Sequence, residues 1–273
     1  MSQHPNNPQA EQMSDASMLR TLAAQAEAIW PQERPLIEGY DLPDDALVLD
    51  IACGPGEITR RVGELLPGAH LTGVDLDEDH LDRARRACAD LGGRAHFATS
   101  DALDLDLPDD RFHLVLCRHL LQAVPDPDRA LAEAARVCRP GGVVHVLAED
   151  YTRMFFHPTR LDTDDFWRRG ALALGQQIGT DMRSGRRVYT TLHHLGLVDL
   201  HVEYVTVDTL RVPRATFARI WEAWRDGYTD LLAETTELTL DEVRDHWRDM
   251  LDCIQNPAGY AVWHVPIISG RLP

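Results

Sequence analysis

Apolar runs of five or six residues recur between residues 46 and 148, and each is closed by a polar or glycine-containing turn. Between the runs, apolar positions return every three or four residues. Short continuous apolar runs suit strands buried on both faces, and the wider spacing suits helices laid over them. The pattern predicts strands at Ala46–Ile51, His70–Asp75, Arg94–Thr99, His113–Cys117 and Val143–Ala148. Ile58, Val62, Leu65 and Leu66 mark one intervening helical face. Leu81, Ala84, Cys88 and Leu91 mark a second, with Asp77 placed to cap it. Strands alternating with helices predict an α/β fold with a doubly wound, mainly parallel sheet.

The flanks follow other patterns. Residues 1–13 are polar and predicted to be disordered, and Leu19, Leu22, Ala26 and Ile29 then predict a helix that stops before Pro31. Residues 14–45 read as a helical cap segment and residues 46–207 as the core, in which Asp164–Gln177 and Gly185–Leu195 are helical and His201–Val207 forms a sixth strand. Residues 208–257 read as a helical insertion or lid. Phe217, Ile220, Trp221 and Trp224 stripe its first helix; Val243, Trp247, Met250, Leu251 and Ile254 stripe the second, opened by the Thr239/Glu242 capping box. Residues 258–273 alternate as a final antiparallel strand.

Composition narrows the function. The chain has 44 acidic against 27 basic residues, a net charge of −17, so phosphate backbones are repelled and a nucleic-acid partner is not expected. All 27 basic residues are arginine. Without lysine, Schiff-base chemistry and P-loop lysine chemistry are excluded. The five cysteines are scattered with no C-x-x-C pair, which fits a reducing cytoplasm better than a disulfide framework. No apolar run is long enough for a membrane span, so a cytoplasmic protein is expected. A homodimer is left open.

The richest chemistry lies in Val48–Glu57, VLDIACGPGE. Asp50 ends an apolar run, Ala52, Gly54 and Gly56 keep the following turn slim, and a helix begins at Ile58. Asp75 ends the next run, 25 residues later, where an acid can bond ribose hydroxyls. A dinucleotide fingerprint started at Gly54 would require glycine where Thr59 stands, and Asp50 would face two phosphates. A carboxylate there suits a cationic nucleoside instead.

These motifs resemble the class I, seven-stranded S-adenosylmethionine-dependent methyltransferases, of the type acting on small molecules. The resemblance covers residues 46–150 and includes Ser100-Asp101-Ala102, the Phe112–His119 strand and the Pro140-Gly141-Gly142 turn. It implies a Rossmann-like sheet, S-adenosyl-L-methionine as cofactor, and cofactor contacts from Asp50, Ala52, Cys53, Gly54, Gly56, Asp75, Leu76, Asp101, Ala102, Cys117 and Arg118. Ala52 replaces the family's usual first glycine, and His113 stands where an acid is usual, so His113 reads as structural.

The resemblance implies methyl transfer to oxygen or nitrogen of a small organic acceptor, without a metal. Quinone-like and secondary-metabolite compounds are the nearest classes, and planar rings would suit the tryptophan-rich lid. His119 and Glu149, beyond the fourth and fifth strands, are the catalytic or acceptor-orienting candidates. Tyr151, Phe155, His157 and Trp221 are the substrate-binding candidates, while paired His193-His194 reads as structural. Two alternatives stand beside this one: a non-catalytic module that binds the cofactor, and a nicotinamide-dependent oxidoreductase.

Overall fold

A computed structural model describes residues 16–273; the expected disordered stretch, residues 1–13, lies outside the described residues. The parallel strands are β1 (Leu47–Ile51), β2 (His70–Asp75), β3 (Ala95–Thr99), β4 (Phe112–Arg118) and β5 (Cys138–Leu147), in the order β3-β2-β1-β4-β5. The helices α2 (Glu57–Leu65), α3 (Glu78–Ala87) and α4 (Pro127–Val137) are the crossovers of this sheet. Two apolar layers, one on Leu49, Ile51 and Val115 and one on Val48, Leu114 and Leu116, bury both faces. That two-sided burial explains why β1, β4 and β5 read as nearly unbroken apolar runs, whereas the edge strand β3 is half-exposed.

The sheet continues antiparallel. After β5 come the short β6 (Met154–His157), α5 (Thr163–Trp167), a wider π turn (Arg168–Leu172), α6 (Ala173–Ile178) and α7 (Val188–His194). β7 (Val198–Asp208) follows, then α8 (Arg214–Thr235), α9 (Leu240–Gln255) and β8 (Tyr260–Arg271). β8 inserts antiparallel between β5 and β7, and its first half also pairs with β6. The capping box of α9 is present, with Thr239 and Glu242 bonding each other's backbone amides. Trp221 and Trp247 are fully buried in the layer joining α8, α9, β6 and the first helix, so these tryptophans build the cap's core.

Two expectations change. The first helix, α1 (Ala16–Glu38), does not stop before Pro31 but runs through Pro31 and Pro35. Its anchors Ile29, Glu33 and Ile37 are buried and recur every four residues, whereas both prolines face outward. The carbonyls that proline leaves unbonded therefore face solvent, where they cost least. The second change is β5, which begins at Cys138 paired with Phe112. Pro140-Gly141-Gly142 is a bulge within it, with Gly141 in the left-handed region at φ 79°. β6 itself escaped prediction, because four alternating residues carry too little pattern.

His113 is structural, accepting Leu47 N–H at 3.0 Å on Nδ1 and meeting Arg139 at 2.8 Å on Nε2. His193 and His194 close α7. Asp77 caps α3, accepting from the amides of Asp79 and His80.

Candidate functional site

Chain order reverses direction between β1 and β4, and ligands of open α/β sheets lie at that point, beyond the carboxyl ends of the strands. A cavity of about 350 Å³ opens there. Its walls come from the β1–α2 turn, the ends of β2 and β4, the Ser100–Ala102 turn, and Leu22 and Ala26 of α1. Asp50, Glu57, Asp75, Asp77, Glu78 and Asp101 all line it, opposed by one arginine, Arg118.

The turn is built by left-handed residues: Ala52 at φ 56°, Gly54 at φ 52° and Gly56 at φ 82°. Ala52 tolerates that region at a cost of about 1–2 kcal/mol, since its methyl crowds the next carbonyl. Gly56 has a second constraint, because a Cβ there would lie 2.9 Å from Cα and Cβ of Ala84. Asp75 ties the turn to β2. One carboxylate oxygen accepts Gly54 N–H at 2.8 Å, and the other accepts Asp77 N–H at 3.0 Å. Burial is the largest influence on this carboxyl and raises its pKa above the usual carboxylate value.

Asp50 is buried at the tip of β1, and Thr59 donates to it at 2.6 Å. The side chain at the third-glycine position thus holds the acid instead of leaving room for a pyrophosphate. Burial pushes the Asp50 carboxyl up to about 6, despite the Thr59 bond and the attraction of Arg118. A wall of carboxylates around an under-compensated buried acid fits an ammonium and a sulfonium. It repels a pair of phosphates.

Comparison with known proteins bears on this arrangement. Residues 48–142 match the family model described as a methyltransferase domain. Residues 48–142 therefore carry a methyltransferase domain. The family uses S-adenosylmethionine. The chain is similar to a probable methyltransferase, ltbC, of Aspergillus luteorubrus, 32% identical over 44% of this chain and 45% of that protein. It is also similar to a ubiquinone biosynthesis O-methyltransferase of Aromatoleum aromaticum, 36% identical over 36% of this chain and 41% of that protein. The chain therefore spans less than half the length of these relatives. Among solved structures, a phosphoethanolamine N-methyltransferase 2 of Haemonchus contortus, in complex with phosphomonomethylethanolamine and S-adenosylhomocysteine, shares the fold. Its TM-score is 0.61, with 18% identity, 96% of this chain and 60% of that chain covered. The cyclase SpnF shares it at a TM-score of 0.58, with 21% identity, 98% of this chain and 97% of that chain covered.

Of the expected cofactor residues, Asp50, Ala52, Cys53, Gly54, Asp75, Leu76, Asp101, Ala102 and Arg118 line the cavity. Two expected cofactor residues do not. Gly56 turns inward against α3, and Cys117 is fully buried between strands, where burial pushes its thiol up to about 12. Asp101 also serves its own turn, accepting Leu103 N–H at 2.9 Å.

His119 lines the cavity immediately after β4, in the left-handed region at φ 52°. For a non-glycine residue this costs about 1–3 kcal/mol and recurs at functional sites. Its Nδ1 lies 2.6 Å from Oε1 of Glu149, which is buried behind it. A carboxylate only accepts, so Nδ1 is the donor of this bond, and in the neutral ring Nε2 is then the acceptor. Among the described residues, neither His119 Nε2 nor Glu149 Oε2 has a hydrogen-bond partner.

A second, smaller chamber of about 20 Å³ shares Leu22, His119 and Ala123 with the main cavity. Met18, Thr21, Gln25, Gln122, Glu149, Tyr151, Trp224 and Tyr228 line the rest of it. Trp224 stacks on Tyr228 at 4.7 Å, and Tyr151 leans on Trp224 at 5.1 Å. Of the expected substrate residues, only Tyr151 is here. Phe155 and His157 sit on the exposed face of β6, where alternation turns them away from the buried Met154 and Phe156. Trp221 is packed between Phe156 and Trp263.

Sequence reasoning missed Glu33. Its two oxygens accept from Arg118 Nε at 2.7 Å and Nη2 at 2.8 Å, and His145 Nε2 adds a third contact at 3.0 Å. The hydroxyl of Tyr40 meets His145 Nδ1 at 2.6 Å. Burial pushes the Glu33 carboxyl up, but Arg118 and His145 outweigh it and hold it at about 2. Glu33 thereby locks α1 over the cavity. The one signal available was its spacing, four residues from both Ile29 and Ile37.

Proposed function

We propose that this chain transfers a methyl group from S-adenosylmethionine to an oxygen or nitrogen of a small planar acceptor held between His119 and α1. The observation that carries this is the unpartnered Nε2 of His119, fixed by Glu149, at the junction of the two chambers. When bound, the cofactor supplies an electrophilic methyl on a sulfonium. Asp50, Asp75, Asp101 and Arg118 would hold it, and the carboxylate-rich wall matches its cationic groups.

Bound there, the cofactor would supply that methyl and leave as neutral sulfide, and His119 would orient the acceptor's lone pair toward it. An acceptor hydroxyl or ring N–H loses its proton, and the His119 Nε2 lone pair is placed to take it. Glu149 stabilises the imidazolium that results. Alignment supplies the larger share, since well-oriented partners gain about 7–11 kcal/mol. A general base adds roughly 10²–10⁴-fold. Tyr151, Trp224 and Tyr228 provide flat apolar walls beside His119.

Incubating the chain with methyl-labelled S-adenosylmethionine and a panel of phenols, hydroxyquinones and ring-nitrogen heterocycles tests this reading. Labelled product from wild type, and much less from His119→Ala, is the expected result. Cofactor binding with no label transferred to any acceptor would favour the binding-module alternative.

A further inference from the structure

We infer that His80, in the first turn of α3, is a cofactor-binding residue that hydrogen-bonds the ribose beside Asp75. It rests on the reading of Asp75 as the ribose-binding acid. His80 lines the cavity next to Asp75 and Asp77 and is 4% exposed. Its Nε2 is buried and has no hydrogen-bond partner among the described residues. Its Nδ1 lies 3.9 Å from Asp75 Oδ1, beyond hydrogen-bond length, so the ring is not committed to that carboxylate.

A leucine or methionine would pack equally well at this place, yet the chain buries an imidazole with an unanswered nitrogen. Buried polar atoms are nearly always paired, and an orphan at a cavity wall marks where a ligand atom belongs. The α3 cap fixes the ring's position, because Asp77 accepts the His80 amide at 3.3 Å. Asp75 can only accept hydrogen bonds, whereas an imidazole can give one or take one. A ribose hydroxyl needs both: it donates to Asp75 and accepts from, or is shared with, His80. Acid and imidazole together distinguish a ribose from a deoxyribose.

The test measures binding of S-adenosylhomocysteine and its 2′-deoxy and 3′-deoxy analogues to the full chain by calorimetry, for wild type, His80→Leu, His80→Gln and Asp75→Asn. His80→Leu should bind S-adenosylhomocysteine about tenfold more weakly, and the analogue lacking the contacted hydroxyl no more weakly than wild type does. His80→Gln should recover part of the loss. Unchanged S-adenosylhomocysteine affinity in His80→Leu, or an equal loss with all three ligands, would overturn the inference and leave Asp75 untouched. Unchanged affinity in Asp75→Asn would instead overturn the ribose reading of this end of the cavity, and this inference with it. Equal melting temperatures among the variants establish that binding, not folding, is compared.

Discussion

Asp50 and Glu33 are both buried within electrostatic reach of Arg118, one on the β1 turn and the other on α1. Glu33 accepts from Nε and Nη2 of the guanidinium and makes a third contact with His145, and its carboxyl is held at about 2. Asp50 has one hydroxyl partner and is pushed up to about 6. The same burial yields opposite results because one acid is answered within the fold and the other is not. A completed ion pair marks architecture. An acid left short of partners in a cavity marks the place where a cation binds.

The sharpest way to break this contrast is to empty the answered side. Glu33→Ala leaves Arg118 buried without its partner and should cost about 3–5 kcal/mol in urea unfolding, with faster amide exchange in α1. The same pair sets an acid limit. Its stabilisation is complete above the ordinary glutamate value of 4.5 and is lost as pH falls through about 2. Unchanged stability in Glu33→Ala would mean that α1 is held by apolar packing alone. Next in size, His119→Ala should lower turnover on the order of 10²-fold with little loss of cofactor affinity, and Glu149→Gln should fall between it and wild type. A loss confined to affinity would reassign His119 to the cofactor wall. Asp75→Ala should weaken S-adenosylhomocysteine binding by about 1.5–3 kcal/mol, the range for hydrogen bonds to charge.

The two sides also differed in how much the sequence disclosed. Strands β1 to β5 and the Asp50–Asp75 constellation were legible because neighbouring residues carry them: an apolar run, a slim turn, an acid at each tip. The cap helices were legible from their apolar stripes, and Trp221 and Trp247 proved to be packing. Glu33 was hidden because its partner, Arg118, is 85 residues away and a glutamate on a helix reads as solvated. Phe155 and His157 were misplaced because the four-residue β6 was unseen, and only its alternation shows which side chains turn inward. The helix through Pro31 and Pro35 was missed because proline was read as a stop, without regard to which face it occupies.

The smallest effect bears most directly on the claim that Asp50 awaits a cation. Because its carboxyl rests at about 6, Asp50 is mostly ionised at neutral pH and becomes neutral in mild acid. A cationic ligand prefers the ionised form, so binding should weaken as pH falls. Calorimetry of S-adenosylmethionine binding should show about a tenfold weaker affinity at about pH 5 than at about pH 7 in wild type, and a much flatter response in Asp50→Asn. Affinity that ignores pH in wild type, or that falls equally in both proteins, would contradict the account.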